Sequence, residues 1–273
     1  MKLHDGKDFI RVNKINQRTL IMKFGGAALS SPDRFQQVAA LVLEKRKTYG
    51  QVVIVVSAMG KMTDELIALA KKVHPSPPKR EYDMILSVGE RISMSLLAMA
   101  LSLQGCEALS FTGSQSGIIT CGNHSEAKIL EIRPKRILES LAKGKVVIVA
   151  GFQGVSIQGE ITTLGRGGSD TSAVALGVAL DADLIEFYKD VQGIYDADPK
   201  ARPDAQHFQE LDYDKALEIV RGGAKVLHER SLLLAKANGM PLYVRSFLSE
   251  EGGTRIVTKE RAAGEKIFEE ACP

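Results

Sequence analysis

Residues 20–60 read LIMKFGGAALSSPDRFQQVAALVLEKRKTYGQVVIVVSAMG, and this stretch decides the fold. Leu20 to Phe24 is a short apolar run stopped by Gly25-Gly26, the pattern of a strand and its turn. Ser31-Pro32 is a helix start signal, and from Arg34 to Tyr49 the residues Phe35, Val38, Leu41 and Val42 recur on one face. Val52 to Val56 contains no polar residue, which predicts a strand buried on both faces. Strand, helix and buried strand in that order predict an α/β protein: a three-layer sandwich whose central, mostly parallel open sheet is flanked by helices.

Outward from this unit the alternation continues. Helices are expected from about Thr63 to Val73, Tyr82 to Leu103, Asp170 to Leu180, Asp212 to Val220 and Glu229 to Asn238. Strands are expected at Ala108 to Thr112, Val146 to Ala150, Leu184 to Tyr188, Leu242 to Ser246 and Arg255 to Val257, with a hairpin around Gln158-Gly159. The most loop-like segment is His74 to Arg80, with Pro75, Pro77 and Pro78. Because composition shifts nowhere else, one domain with two lobes around one sheet is expected. It occupies residues 20–258, after an N-terminal extension at 1–19 and before a helical or frayed tail at 259–273. The stripe Ile92, Leu96, Met99 and Leu103 is read as core or subunit contact.

Composition narrows the function. In 273 residues, 36 Lys and Arg stand against 33 Asp and Glu, a balance that lacks the single-sign field used on nucleic acid or membrane surfaces. Neither partner is expected. Three cysteines without a CxxC pair suggest neither a disulfide framework nor a zinc knuckle, and a cytoplasmic location is the simplest reading. The five histidines have no metal-like spacing and are read as structural or surface groups; no metal ligand is assigned.

Three segments carry chemistry. Lys23-Phe24-Gly25-Gly26 ends a strand, where two glycines let backbone N–H groups approach an anion and Lys23 adds a charge. A plain strand-to-helix turn with a surface lysine reads the same way on these four residues alone. Residues 163–171, TLGRGGSDT, open an Ala- and Val-rich helix; three glycines around Arg166 at a helix N-terminus suit an anion, with Arg166 gripping a carboxylate through its planar fork and Asp170 at or next to the cap. Residues 188–200, YKDVQGIYDADPK, follow a buried strand, where open α/β sheets bind ligands beyond the carboxyl ends of their strands. No GxxxxGK[ST], GxGxxG, GxSxG or HExxH pattern is present, so a phosphate site would have to use another kind of glycine loop.

Taken together, eight segments in order resemble the aspartate kinases of the amino acid kinase family: KFGG at 23–26, VVSAMGKMTDEL at 55–66, LSVGERIS at 86–93, SFTGSQSG at 110–117, VAGFQGV at 149–155, TTLGRGGSDTSAVAL at 162–176, YKDVQGIYDADPK at 188–200 and GAKVLH at 223–228. The resemblance implies the carbamate kinase-like fold and ATP-dependent phosphorylation of the β-carboxylate of L-aspartate, with Mg²⁺, in a cytoplasmic homodimer, as the first step towards lysine, threonine and methionine. It implies a phosphate loop at Lys23, Gly25 and Gly26. Substrate contacts fall on Ser57, Thr63, Glu90, Arg166, Gly168 and Ser169, and nucleotide contacts on Tyr188, Lys189, Asp190, Tyr195, Asp198, Pro199, Lys200 and Lys225. The catalytic group is Lys23 and Lys225 held by Asp170. Residues before about 165 would form the substrate lobe and those after it the nucleotide lobe. Sibling kinases acting on glutamate, acetylglutamate, carbamate or UMP, and a catalytically silent homologue, are the alternatives.

The chain also departs from that pattern. Ala27-Ala28 stand where the family usually has Thr-Ser, Lys189 where it commonly has Ser or Thr, and Gln192 where it often has Asp. Aspartate kinases generally continue into paired regulatory domains, whereas this sequence stops at Pro273. The expectation is a catalytic core, excised or natural, that lysine and threonine do not inhibit.

Overall fold

The computed structural model describes residues 18–197, 199, 201–202, 204–249, 252–258 and 264–270. Eight strands form the main sheet in the order β12-β14-β13-β9-β1-β2-β6-β3. They are β1 Thr19–Phe24, β2 Gln51–Val56, β3 Ala108–Phe111, β6 Val146–Ala150, β9 Leu184–Lys189, β12 Glu210–Asp212, β13 Leu242–Ser246 and β14 Thr254–Val257. Every neighbouring pair is parallel except β13 with β14. The expected three-layer α/β fold with a mostly parallel sheet is what forms.

The period of two along the strands builds the layers. Leu20, Met22 and Phe24 of β1, with Val52, Ile54 and Val56 of β2, face one side and pack with Phe35, Val38 and Leu97 of the helices Pro32–Arg46 and Val88–Leu103. Ile21, Val53, Val55, Ile185 and Phe187 face the other, under the helices Gly168–Ala179, Tyr213–Arg221 and Glu229–Ala237. The first helix starts at Pro32 in its first turn, and Asp212 caps the Tyr213–Arg221 helix by accepting the Lys215 N–H at 2.7 Å. The Gly168–Ala179 helix is buried from Gly168 through Val178, so its apolar residues show no one-sided pattern.

Four expectations change. The run from 82 to 103 is two helices, Lys79–Leu86 and Val88–Leu103, broken at Ser87, whose carbonyl accepts from the Gln153 amide at 2.8 Å. By length and composition Lys79–Leu103 could cross a membrane, but half of its apolar window is buried in the protein. Within it, Ile92, Met99 and Leu103 are exposed, Met99 by 65%, which removes the core reading of that stripe but not the subunit-contact one; the core face is Met94, Leu97, Ala100 and Leu101.

The region 112–163 carries more structure than expected: β4 Ile118–Thr120, β5 Ile129–Ile132, β7 Gln153–Ser156 and β8 Ile161–Thr163 form a second sheet, ordered β5-β4-β7-β8, and Lys135–Leu141 is a helix. Strands of three or four residues are too short to show a period. The hairpin near Gln158 is the β7–β8 connection. A third, two-stranded sheet pairs β10 Ile194–Tyr195 with β11 His207–Phe208, so the described residues hold three sheets rather than one. Of the tail, residues 264–270 are neither helical nor free: Glu269 N–H donates to the Ile129 carbonyl at 3.0 Å.

Candidate active site

Alternation along β1 puts Lys23 on the same side as Ile21, between Val55 of β2 and Phe187 of β9 and under the Gly168–Ala179 helix. A lysine 5% exposed there needs a counter-charge, and the first turn of that helix supplies it. Lys23 Nζ lies 2.5 Å from Asp170 Oδ1, and Lys189 Nζ, at the end of β9, lies 3.0 Å from Oδ2. Burial opposes the charge on Asp170, but Lys189 and then Lys23 outweigh it and hold the carboxyl down at about 2. Burial moves Lys23 below the ordinary lysine value, with Asp170 opposing.

The Arg166 turn is forced by its glycines. Gly165 and Gly167 have φ of 72° and 74°, in the left-handed region. A Cβ on Gly167 would also lie 2.2 Å from the His228 ring. Two anchors flank the turn. Asp83, fully buried, accepts from Thr163 N–H at 3.1 Å and Thr163 Oγ1 at 2.6 Å, and from Ser125 N–H at 3.0 Å, with His124 Nδ1 at 2.8 Å. From the other side Arg230 donates to the Leu164 and Ala127 carbonyls and pairs with Glu269. The turn therefore opens onto the N-terminal end of a buried helix, where negative charge is favoured.

One cleft of about 450 Å³ is lined by Lys23, Ser57, Thr63, Glu90, Arg166, Gly168, Ser169 and Asp170 together, residues that span most of the chain. Glu90, 3% exposed, accepts the Ala58 N–H at 3.0 Å on Oε1, while buried Oε2 has no hydrogen-bond partner among the described residues. Burial pushes its carboxyl up to about 7, against hydrogen bonds and Lys23. Arg166 is exposed. The cleft thus offers a paired buried cation, a buried carboxylate with an open oxygen and an exposed guanidinium, a set complementary to a zwitterion beside an anion. A larger cleft of about 1130 Å³ lies on the other side of Arg166, along His228, Arg230 and Phe268, and does not include Lys23 or Glu90.

Other expected residues lie elsewhere. Gly26 stands behind Lys23, and a Cβ there would sit 2.8 Å from the Ala58 carbonyl; it is needed for close backbone approach. Gly25 is under no such constraint, its Cβ meeting only Lys23 Nζ at 3.9 Å. Tyr188 alternates onto the opposite face, 1% exposed, stacked on Phe24 at 4.5 Å and donating to Glu186. Its ring belongs to the core, which leaves only its backbone for a nucleotide. Asp190 is exposed, the Tyr195 ring lies tilted against His207, and Pro199 is half-buried; all three are off the cleft. Lys225 is exposed in the loop between the Tyr213–Arg221 and Glu229–Ala237 helices, and the second lysine on Asp170 is Lys189 instead. The reason is alternation, since Ile185, Phe187 and Lys189 share the face of Lys23. Asp198 and Lys200 lie outside the described residues.

Asp83 escaped the sequence reading. The signal available was an acid inside EYDMIL, a run whose other core-facing residue is Leu86.

The amino acid kinase family model matches residues 18–246. The aspartokinase of Mycolicibacterium smegmatis is 48% identical over 238 residues, covering 87% of this chain and 56% of that protein. Among solved structures, the aspartate kinase from Synechocystis superposes with a TM-score of 0.82 at 45% identity, over 92% of this chain and 42% of that one. E. coli aspartokinase III in complex with aspartate and ADP gives 0.80 at 26% identity, over 89% and 65%. The chain spans little more than half the length of the aspartokinase relatives it matches.

Proposed function

Because this chain belongs to the amino acid kinase family, we propose that it is an aspartate kinase core that phosphorylates the β-carboxylate of L-aspartate with ATP, giving 4-phospho-L-aspartate. The observation that carries the reading is the cleft in which Glu90, with its open Oε2, and Arg166 stand beside the Lys23–Asp170 pair. Similarity to aspartokinases, one of them in complex with aspartate and ADP, supports the same substrates.

The geometry suggests a division of labour. Arg166 grips the α-carboxylate with its fork and Glu90 takes the α-ammonium, flanked by Ser57, Thr63, Gly168 and Ser169, so that the β-carboxylate is left to face Lys23. That carboxylate is already ionised at neutral pH, so the reaction needs no general base; alignment and charge neutralisation suffice. ATP supplies the phosphoryl group, with Mg²⁺ carried on its phosphates. Two lysines sharing one carboxylate leave surplus positive charge at the carboxyl ends of β1 and β9, a fit for those phosphates. In this reading residues before about 165, together with Arg166, Gly168 and Ser169, serve the acceptor and those further on the nucleotide, through the backbone at Tyr188 and through Lys189, Asp190, Tyr195, Asp198, Pro199, Lys200 and Lys225, in a cytoplasmic homodimer.

The test is hydroxamate formation from ATP, Mg²⁺, hydroxylamine and each of aspartate, glutamate, acetylglutamate and carbamate, with ADP release followed for UMP. Product with aspartate above all other acceptors is expected. Nucleotide binding without any acyl phosphate would reject the reading.

A further inference from the structure

Lys189 is one more cation than the cluster needs. Asp170 is a single carboxylate, neutralised by Lys23 on Oδ1, yet Lys189 takes Oδ2 with its side chain only 16% exposed. Holding a second ammonium away from water on a carboxylate already paired is costly unless another anion completes the set. The position indicates where that anion arrives. Lys189 extends one residue past the Phe24–Tyr188 register pair that ends β1, at the carboxyl end of a central parallel strand, and meets Asp170 from outside the acceptor cleft. The sequence supplies a second observation: Ala27-Ala28 provide no hydroxyl donors after the glycine turn.

We infer that Lys189 is the second lysine of the phosphoryl site: held on Asp170 in the free protein, it donates to the terminal phosphate of a bound nucleoside triphosphate and offsets the donors that Ala27 and Ala28 lack. The inference rests on the phosphotransfer reading above. In the step it serves, a carboxylate oxygen forms a bond to the γ-phosphorus, the bond from that phosphorus to the β,γ-bridging oxygen breaks, and ADP leaves with the electron pair. No proton moves. Lys189 neutralises charge on the transferring group while Asp170 fixes its direction.

Affinity for Mg²⁺·AMP-PNP and Mg²⁺·ADP, measured by calorimetry, tests this in the Lys189→Gln and Lys189→Arg variants. Glutamine still donates an N–H to Asp170, so it separates charge from support; Lys189→Thr does the same with a hydroxyl should the glutamine variant not fold. The glutamine variant is expected to lose about tenfold in AMP-PNP affinity and about twofold in ADP affinity, with turnover down about a hundredfold. Arginine is expected to recover affinity to within about threefold. Unchanged AMP-PNP affinity, or equal losses for both nucleotides, would overturn the inference. If the wild-type chain binds AMP-PNP and phosphorylates no acceptor, the proposed function fails while the affinity comparison still decides the role of Lys189.

Discussion

Two glycine turns meet at this site, and they are built on different principles. After β1, Gly26 has an ordinary backbone conformation and is small because the Ala58–Gly60 segment crosses it; the cation it accompanies, Lys23, is buried and paired. Before the Gly168–Ala179 helix, Gly165 and Gly167 are glycine because φ is positive, and the cation they present, Arg166, is exposed and makes no ion pair among the described residues. A buried, paired charge is oriented before any ligand binds, whereas an exposed one is oriented by its ligand. The first suits the reacting group, and the second suits a handle on the acceptor.

The contrast breaks most sharply at Lys23. Lys23→Ala leaves Asp170 paired with Lys189 alone, and about 1–3 kcal/mol of unfolding free energy is expected to go with the lost partner. Turnover is expected to fall a hundredfold or more. Denaturant melts and the hydroxamate assay measure the two, and a folded variant with near wild-type turnover would remove Lys23 from the chemistry. Next in size is the glycine comparison: Gly167→Ala should destabilise by about 1–3 kcal/mol through positive φ and the His228 contact, and Gly25→Ala by under about 1 kcal/mol. Equal melting shifts would erase the distinction. Arg166→Lys should raise the aspartate KM by about tenfold and leave the ATP KM within about threefold, since a point charge cannot replace a fork. Equal shifts in both would move Arg166 out of the acceptor site.

The smallest effect is in pH. Glu90 titrates at about 7 in the free protein, so the ionised form that receives an ammonium grows between pH 6 and 8. Aspartate KM should fall about fivefold over that interval, and Glu90→Gln should flatten the profile. Stability runs the other way for this group: its raised carboxyl stabilises the fold below the ordinary glutamate range, and that contribution is lost as pH rises through about 7. Asp170, held down at about 2, contributes stability above the ordinary aspartate range that is lost as pH falls towards 2.

Much of the fold was legible because its central strands are unbroken apolar runs and its helices carry start signals: Val146–Ala150 and Leu242–Ser246 form with the predicted boundaries. The second sheet was not, because Ile118–Thr120 and Ile161–Thr163 are too short for an alternating run to stand out. At the site, the glycines and charges of the two turns were readable as types, and the alternation that sends Lys23 and Lys189 to one face was present in LIMKF and LIEFYK. The direction of the Tyr188 ring was not legible, because a tyrosine near a ligand loop looks the same whether its ring faces solvent or packs on Phe24.

The sequence by itself determined the parallel α/β scaffold, the family, and the residue types able to hold phosphate and carboxylate, since these follow from local periodicity and short motifs. The tertiary structure alone decided the partners. That Asp170 holds Lys189 and Lys23, that Asp83 anchors Thr163 eighty positions away, and that Glu90 keeps an open oxygen depend on which strand ends lie side by side in the sheet. Strand order and helix docking set those distances, because a buried charge takes whichever counter-charge the packed layers bring within reach.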